Sequence, residues 1–160
     1  GTIRAHIAKG NPLWLNRMAV SQVLAIFQGP QAYVTPSWYP SKQEHGKVVP
    51  TWNYAVVHAR GQIKFYDDAA WLMAQLEDMT ARQEQRRTKP WAVTDAPDDF
   101  MARQLRGIVG IEIEIEHLEG KWKISQNKDE RDRDGVREGL ASETDAQSHA
   151  VSDLMLRQPG

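Results

Sequence analysis

The stretch IVGIEIEIEH, Ile108 to His117, constrains this chain more than any other. Val109, Ile111, Ile113 and Ile115 alternate with Glu112, Glu114 and Glu116. Side chains of a strand point to opposite faces in turn, so this pattern is a strand with one apolar face and one carboxylate face. A helix would scatter both sets around its axis. The chain must therefore build a sheet with at least one buried side. The glutamate row reads most simply as the solvated side.

Other segments take their places around that strand. TIRAHIA alternates Ile3, Ala5 and Ile7 against Arg4 and His6, which reads as the middle of a strand and implies that N-terminal residues precede it. Asn11 and Pro12 provide an N-cap and first turn for a helix over LWLNRMA. Val23 to Phe27 is a near-continuous apolar run, as for a strand buried on both faces. Gly29-Pro30 is expected to break it, and QAYVTP to resume as a second extended piece. SKQEHGK reads as a polar loop. TWNYAVVHARGQIKFY is one long strand, or two with a bulge at Gly61. Asp67 or Asp68 caps a helix carrying Leu72, Leu76 and Met79, and RQEQRRTKP is its solvated end. A second helix, DDFMARQLRG, turns Phe100, Met101 and Leu105 inward and stops at Gly107. EGK then predicts a turn, with WKISQNKD as a short last strand. From Glu130 the chain is charged and helix-prone, with thin apolar stripes at Val136, Leu140, Val151, Leu154 and Met155. About six strands with peripheral helices fit a small β-barrel of the α+β class. The regular strand–helix rhythm of a doubly wound sheet is absent. Residues 1–128 form the barrel domain in this reading, and 129–160 a helical extension.

Composition removes several functions. With 160 residues one domain is expected. A net charge of −1 supplies no global field for nucleic acid or an anionic membrane. There is no cysteine, which excludes disulfides, thiolate chemistry and zinc–thiolate sites. No apolar run approaches the roughly 20 residues that span a bilayer, so no membrane association is expected and the cytoplasm is the simplest location. The five histidines show no HxxH spacing, and no metal site is expected. Walker, GxGxxG and GxSxG motifs are absent.

Four stretches carry candidate chemistry. HIAKGNPLW places His6 and Lys9 at a turn before the Asn11 cap, which suits a phosphate or simply a capped helix with a surface lysine. VPTWNY lines up Thr51, Trp52, Asn53 and Tyr54. Alternation puts Trp52 and Tyr54 on one face and Thr51 and Asn53 on the other. The asparagine suits the edge of a heterocycle, or a core position. KISQNKD offers Ser125, Gln126 and Asn127 before Lys128, either as hydrogen-bonding groups for a ligand or as a polar loop. GPQAYVTPSWYP is a shaped aromatic loop with Tyr33, Trp38 and Tyr39, suited equally to a pocket, a subunit contact or packing.

These motifs, HIAKGNPLW, FQGPQAYVTPSWY, VPTWNYAVVHARG and LRGIVGIEIEIEHLEGKWKISQNKDERDRDGVREGL, resemble in order and spacing the PaiB-like FMN-binding negative transcriptional regulators. The resemblance runs from His6 to Leu140. It implies a split β-barrel, similar to that of pyridoxamine 5′-phosphate oxidase. It also implies a homodimer with FMN in a groove between the subunits. By motif position it places the FMN phosphate near Lys9 and Asn11, with His6 and the Ile7–Ala8 backbone along the ribityl chain or ring edge. Thr51, Trp52, Asn53 and Tyr54, and Ser125, Gln126, Asn127 and Lys128, fall beside the cofactor or across the dimer groove. Lys9 and Lys128 stand where the family usually has arginine, which keeps the charge but loses the planar bidentate fork. A DNA or regulatory protein partner follows from the family role, although no helix-turn-helix is present and RQEQRR is the one concentrated basic patch. A flavin reductase and a haem-binding split-barrel protein are the rival readings.

Overall fold

The computed structural model describes residues 1–157 of the chain. The class is α+β, as expected, built on one four-stranded sheet in which the first and last strands pair antiparallel. Four strands form the sheet: β1 (Thr2–Ala8), β2 (Gln22–Val34), β3 (Thr51–Tyr66) and β4 (Ile108–Lys123), in the order β1-β4-β3-β2. The helices are α1 (Pro12–Leu15), α2 (Ser41–His45), α3 (Ala69–Glu84), α4 (Asp98–Arg106), α5 (Glu130–Ser142) and α6 (Ala146–Arg157).

Four strands replace the expected six or so because two pairs fuse. Gly29-Pro30 does not break β2, which runs through both residues. β2 is an edge strand, where a missing N–H is tolerated. The same edge position explains why Val23 to Phe27 is not buried on both faces: Leu24, Ile26 and Phe27 are exposed. Likewise EGK makes no turn, and β4 continues through Gly120 to Lys123. β3 is one strand across Gly61. SKQEHGK is not a loop but the helix α2, closed by Gly46 in the left-handed region at φ 62°.

The chain forms two compact units, 1–24 with 59–117 and 25–58 with 118–160. In the first, β1 pairs with β4 so that Arg4 faces Glu112 and His6 faces Gly110. The glutamate row is a cross-strand ladder rather than a merely solvated face. Glu112 accepts from Arg4 Nε at 2.8 Å and Tyr66 Oη at 3.4 Å, Glu114 pairs with Lys64 at 3.5 Å, and Glu116 accepts from Gln62 at 2.9 Å and Gln22 at 3.1 Å. Val109, Ile111 and Ile113 are buried on the opposite face, as alternation requires. Asp68 caps α3 by accepting from Trp71 N at 2.7 Å. Leu72 is buried, but Met79 and Phe100 are exposed rather than inward. Gln75 takes a buried place on α3 because a polar partner, His6, waits beneath it.

The second unit has its own core of Ala32, Val34, Tyr39, Ile124, Val136, Leu140, Val151 and Met155, with Trp38 and Val48 against it. Of the thin stripes of α5 and α6, Val136, Leu140, Val151 and Met155 are thus in the core, and Leu154 is half-buried outside it. Gly139 lets Trp38 lie on α5: a Cβ there would come within 2.3 Å of the indole.

Gly61 makes the closest approach of any glycine in the sheet. A Cβ at this position would stand 1.8 Å from the carbonyl oxygen of Glu114, a backbone atom with little freedom to move. Gly61→Ala is expected to lower stability by about 3 kcal/mol, at the upper end of overpacking costs. Urea unfolding checks it, and a cost below about 1 kcal/mol contradicts the close approach.

Candidate functional site

The candidate residues fall into the two units. In the first, Lys9, Gly10 and Asn11 form the turn that joins β1 to α1. Asn11 N donates to Ala8 O at 2.9 Å, and Lys9 N to Gly107 O at 2.9 Å. Asn11 is the expected N-cap: its Oδ1 accepts from Leu13 N at 2.9 Å. The Lys9 ammonium is held by Asp67 Oδ1 at 2.6 Å and remains about one-third exposed. His6 sits beneath α3, its Nδ1 3.0 Å from Gln75 Oε1. Ile7 and Ala8 pair with Val109 and Ile108 and lend mainly backbone to this corner. Trp71 lies over Gly110, opposite His6, and stacks on Tyr66 with ring centroids 4.5 Å apart and planes 3° from parallel.

In the second unit the alternation of β3 decides who is buried. Asn53 is fully buried while Trp52 is 52% exposed. Asn53 Nδ2 donates to Ser125 Oγ at 3.0 Å, the two side chains also meet through Asn53 Oδ1 at 3.2 Å, and Met155 Sδ lies 3.9 Å from Nδ2. Ser125 has a left-handed backbone at φ 63°, which a non-glycine residue adopts only where its surroundings hold it. The turn after it closes by Lys128 N donating to Ser125 O at 3.0 Å. Gln126 is turned back on its own strand, accepting from Ile124 N at 2.7 Å and donating to Trp122 O at 2.5 Å. Asn127 is exposed, and the Lys128 ammonium stands 5.1 Å from the centre of the Tyr39 ring. Thr51 accepts from the Lys123 ammonium, which also donates to Trp52 O at 3.0 Å. Tyr54 is half-buried. The structure therefore brings Asn53 and Ser125 together as a buried pair, and leaves Trp52, Asn127 and part of Lys128 toward solvent.

Sequence reasoning missed the partner of this turn. KDERDRD reads as a solvated helix start, yet Asp132 is buried and anchors Ser41. Its two oxygens accept from Ser41 N at 3.1 Å and Ser41 Oγ at 2.7 Å. Burial works to raise the Asp132 carboxyl, but the Ser41 bonds, with Lys128 and Arg131 nearby, outweigh it and hold its pKa below the usual carboxylate value. Burial and the Asp132 charge push the Tyr39 phenol up, against a hydrogen bond with Ser125. The sequence signal for the aspartate is its place four residues before Val136 and eight before Leu140, on a helical stripe it shares with Arg133. The aromatic loop is resolved as well. Tyr39 is core, and Tyr33 is half-exposed and meets Trp52 edge-on, centroids 6.1 Å apart and planes at 71°. Tyr33, Trp38 and Trp52 together line a cleft of about 570 Å³.

Comparison with known proteins supplies a family and relatives. The family described as "Putative FMN-binding domain" matches residues 1–117. Protease synthase and sporulation protein PAI 2 of Bacillus subtilis is 35% identical over 153 residues, covering 96% of this chain and 71% of that protein. An uncharacterized protein of Aspergillus fumigatus is 38% identical over 172 residues, and the match covers 88% of this chain. The chain spans 66% of the fungal relative's length. Among solved structures, an FAD and heme binding protein from Mycobacterium smegmatis superposes with a TM-score of 0.49 at 15% identity, covering 76% of this chain and 53% of that one.

Two substitutions test the buried network. Asn53→Ala removes both of its bonds to the Ser125 hydroxyl, which keeps only Tyr39, and should cost about 1–3 kcal/mol, whereas Trp52→Ala should leave stability nearly unchanged. Asp132→Ala should cost about 2–3 kcal/mol at neutral pH. Because the folded pKa of Asp132 is depressed, its contribution is present above the unfolded value near 4 and is lost as pH falls through the folded value. The gap in melting temperature between the wild type and Asp132→Ala should therefore narrow below about pH 4. A constant gap contradicts the ionised anchor.

Proposed function

The chain belongs to the PaiB-type family of FMN-binding domains, and from that premise we propose that it is an FMN-binding homodimer acting as a negative transcriptional regulator rather than as an enzyme. The observation that carries this reading is the family match over residues 1–117, which includes both the His6–Asn11 turn and the Thr51–Tyr54 strand. Ser125 to Lys128 lie beyond the matched span and enter on motif position alone. The regulatory half of the proposal rests on the resemblance to the PaiB-like regulators, and the Bacillus subtilis relative is named for protease synthase and sporulation. We place the protein in the cytoplasm. No helix among the described residues is long and apolar enough to cross a membrane.

The residues present fit the cofactor as follows. Lys9 is assigned to the phosphate. Its ammonium has three donors, so holding Asp67 leaves capacity for phosphate oxygens and fixes the direction of the side chain. Asn11 is assigned to the phosphate beside Lys9, and His6 with the Ile7–Ala8 backbone to the ribityl chain or ring edge, with Gln75 fixing the His6 ring. In the other unit, Trp52 and Tyr54 provide aromatic surface, and Asn127 and Lys128 provide polar contacts. Asn53, Ser125, Gln126 and Thr51 act by holding those groups in place through the bonds described above. FMN, when bound, supplies one- and two-electron redox chemistry, and the protein supplies binding, orientation and field. Residues 1–128 then constitute the cofactor-binding part, and 129–160 a helical support.

Reconstitution with FMN is expected to colour the protein yellow and to raise its melting temperature. Ligand at about 100 times Kd contributes about 2.7 kcal/mol. Lys9→Glu, which sets two carboxylates against the phosphate, should weaken FMN at least about tenfold while the fold survives. The loaded protein should not turn over reduced nicotinamide. Steady turnover would move the chain to the flavin reductases. An unaltered melting temperature with FMN would reject the proposal.

A further inference from the structure

The cleft beside Trp52 has a chemistry that FMN does not explain. Its walls include Tyr33 and Trp52, which stand nearly at right angles, and Trp38, which is fixed on α5 by its contact at Gly139. Its rim carries Glu143 and Asp145, with Gln147 between the rim and β2, where its Oε1 accepts from Gln31 N at 3.2 Å. No lysine, arginine or histidine is among the lining residues. Asp145 accepts from Ser148 N at 2.9 Å, and its bonds with Ser148, the side-chain hydroxyl first and the backbone second, lower its pKa and keep it an anion at neutral pH. A phosphate-bearing ligand would meet two carboxylates here. An apolar ligand would meet the same two charges unpaired. Two aromatic faces set as a corner, under a negative rim, instead match a cation, because the ring quadrupole and the carboxylates attract the same sign.

We propose that this cleft binds a small organic cation, an alkylated or primary ammonium, seated against Trp52 and Tyr33 with Glu143 and Asp145 balancing its charge. Trp52 is exposed by 52% and Tyr33 by 48%, so both rings are open to a ligand without unfolding any element. The volume of about 570 Å³ exceeds a lone ammonium head and leaves room for an attached chain. The proposal does not rest on FMN binding: it shares Trp52 with the cofactor reading, but the two carboxylates have no part in that reading.

The probe is choline, titrated against the full chain as purified and followed by tryptophan fluorescence and calorimetry. Its neutral carbon isostere, 3,3-dimethyl-1-butanol, is the control. Saturable binding of choline is expected, at least about fivefold tighter than the isostere, since the charge contributes on the scale of a cation–π contact and nearby carboxylates. Glu143→Gln with Asp145→Asn should abolish that preference while leaving FMN affinity and melting temperature unchanged, because asparagine still caps α6. Trp52→Phe should weaken choline less than Trp52→Ala. Equal binding of choline and the isostere, retention of the preference in the double variant, or no saturable choline binding would each overturn the proposal.

Discussion

The structure depends first on the two-faced character of β4. One face buries Val109, Ile111 and Ile113, and the other presents three glutamates to groups from β1, β2 and β3. A one-residue slip would exchange these faces, driving carboxylates into the core and isoleucines into water. Each cross-strand pair contributes only about 0.2–1 kcal/mol, so the pairs specify register more than they stabilise it. The hydrophobic face supplies the stabilisation and the glutamates make the alignment unique. Arg4 opposite Glu112 also fixes His6 opposite Gly110, and thereby sets the first turn of candidate chemistry.

The second set of candidate residues follows another rule. Polar side chains with several hydrogen-bonding sites are divided between holding the fold and meeting a ligand. Asn53 and Ser125 satisfy one another out of solvent, Gln126 closes on its own strand, and Asp132 secures α2 through Ser41. A buried polar group without a partner costs about 1–3 kcal/mol, so these pairs are paid for only by being complete. Complete, they fix a left-handed residue at Ser125 and leave the neighbouring exposed groups in one geometry. The exposed Trp52 is positioned by a buried asparagine one residue away.

Much of this was legible in the residues. The alternation at Ile108–Glu116 located β4, Asn11-Pro12 located the cap of α1, and Asp68 that of α3, because each signal is local and its physics is complete within a few residues. The failures share a cause. Pro30 looked like a break because its place on a sheet edge is a tertiary fact. Glu119-Gly120-Lys121 looked like a turn because strand continuity there depends on the neighbouring strand. Phe100 and Met79 looked inward because helical periodicity marks a stripe but not what covers it. Asp132 was hidden in a run of charges, where only the fold distinguishes the buried carboxylate from its solvated neighbours. In the site, strand alternation separated Asn53 from Trp52 correctly, but which of the two was buried required the structure.

The central claim is that this chain holds FMN. It is tested most directly by titrating FMN with the purified protein and following flavin fluorescence at equilibrium. The account predicts a saturable change at one FMN per chain, reversed on unfolding. Flavin fluorescence that stays that of free FMN at saturating concentrations of folded protein would contradict it.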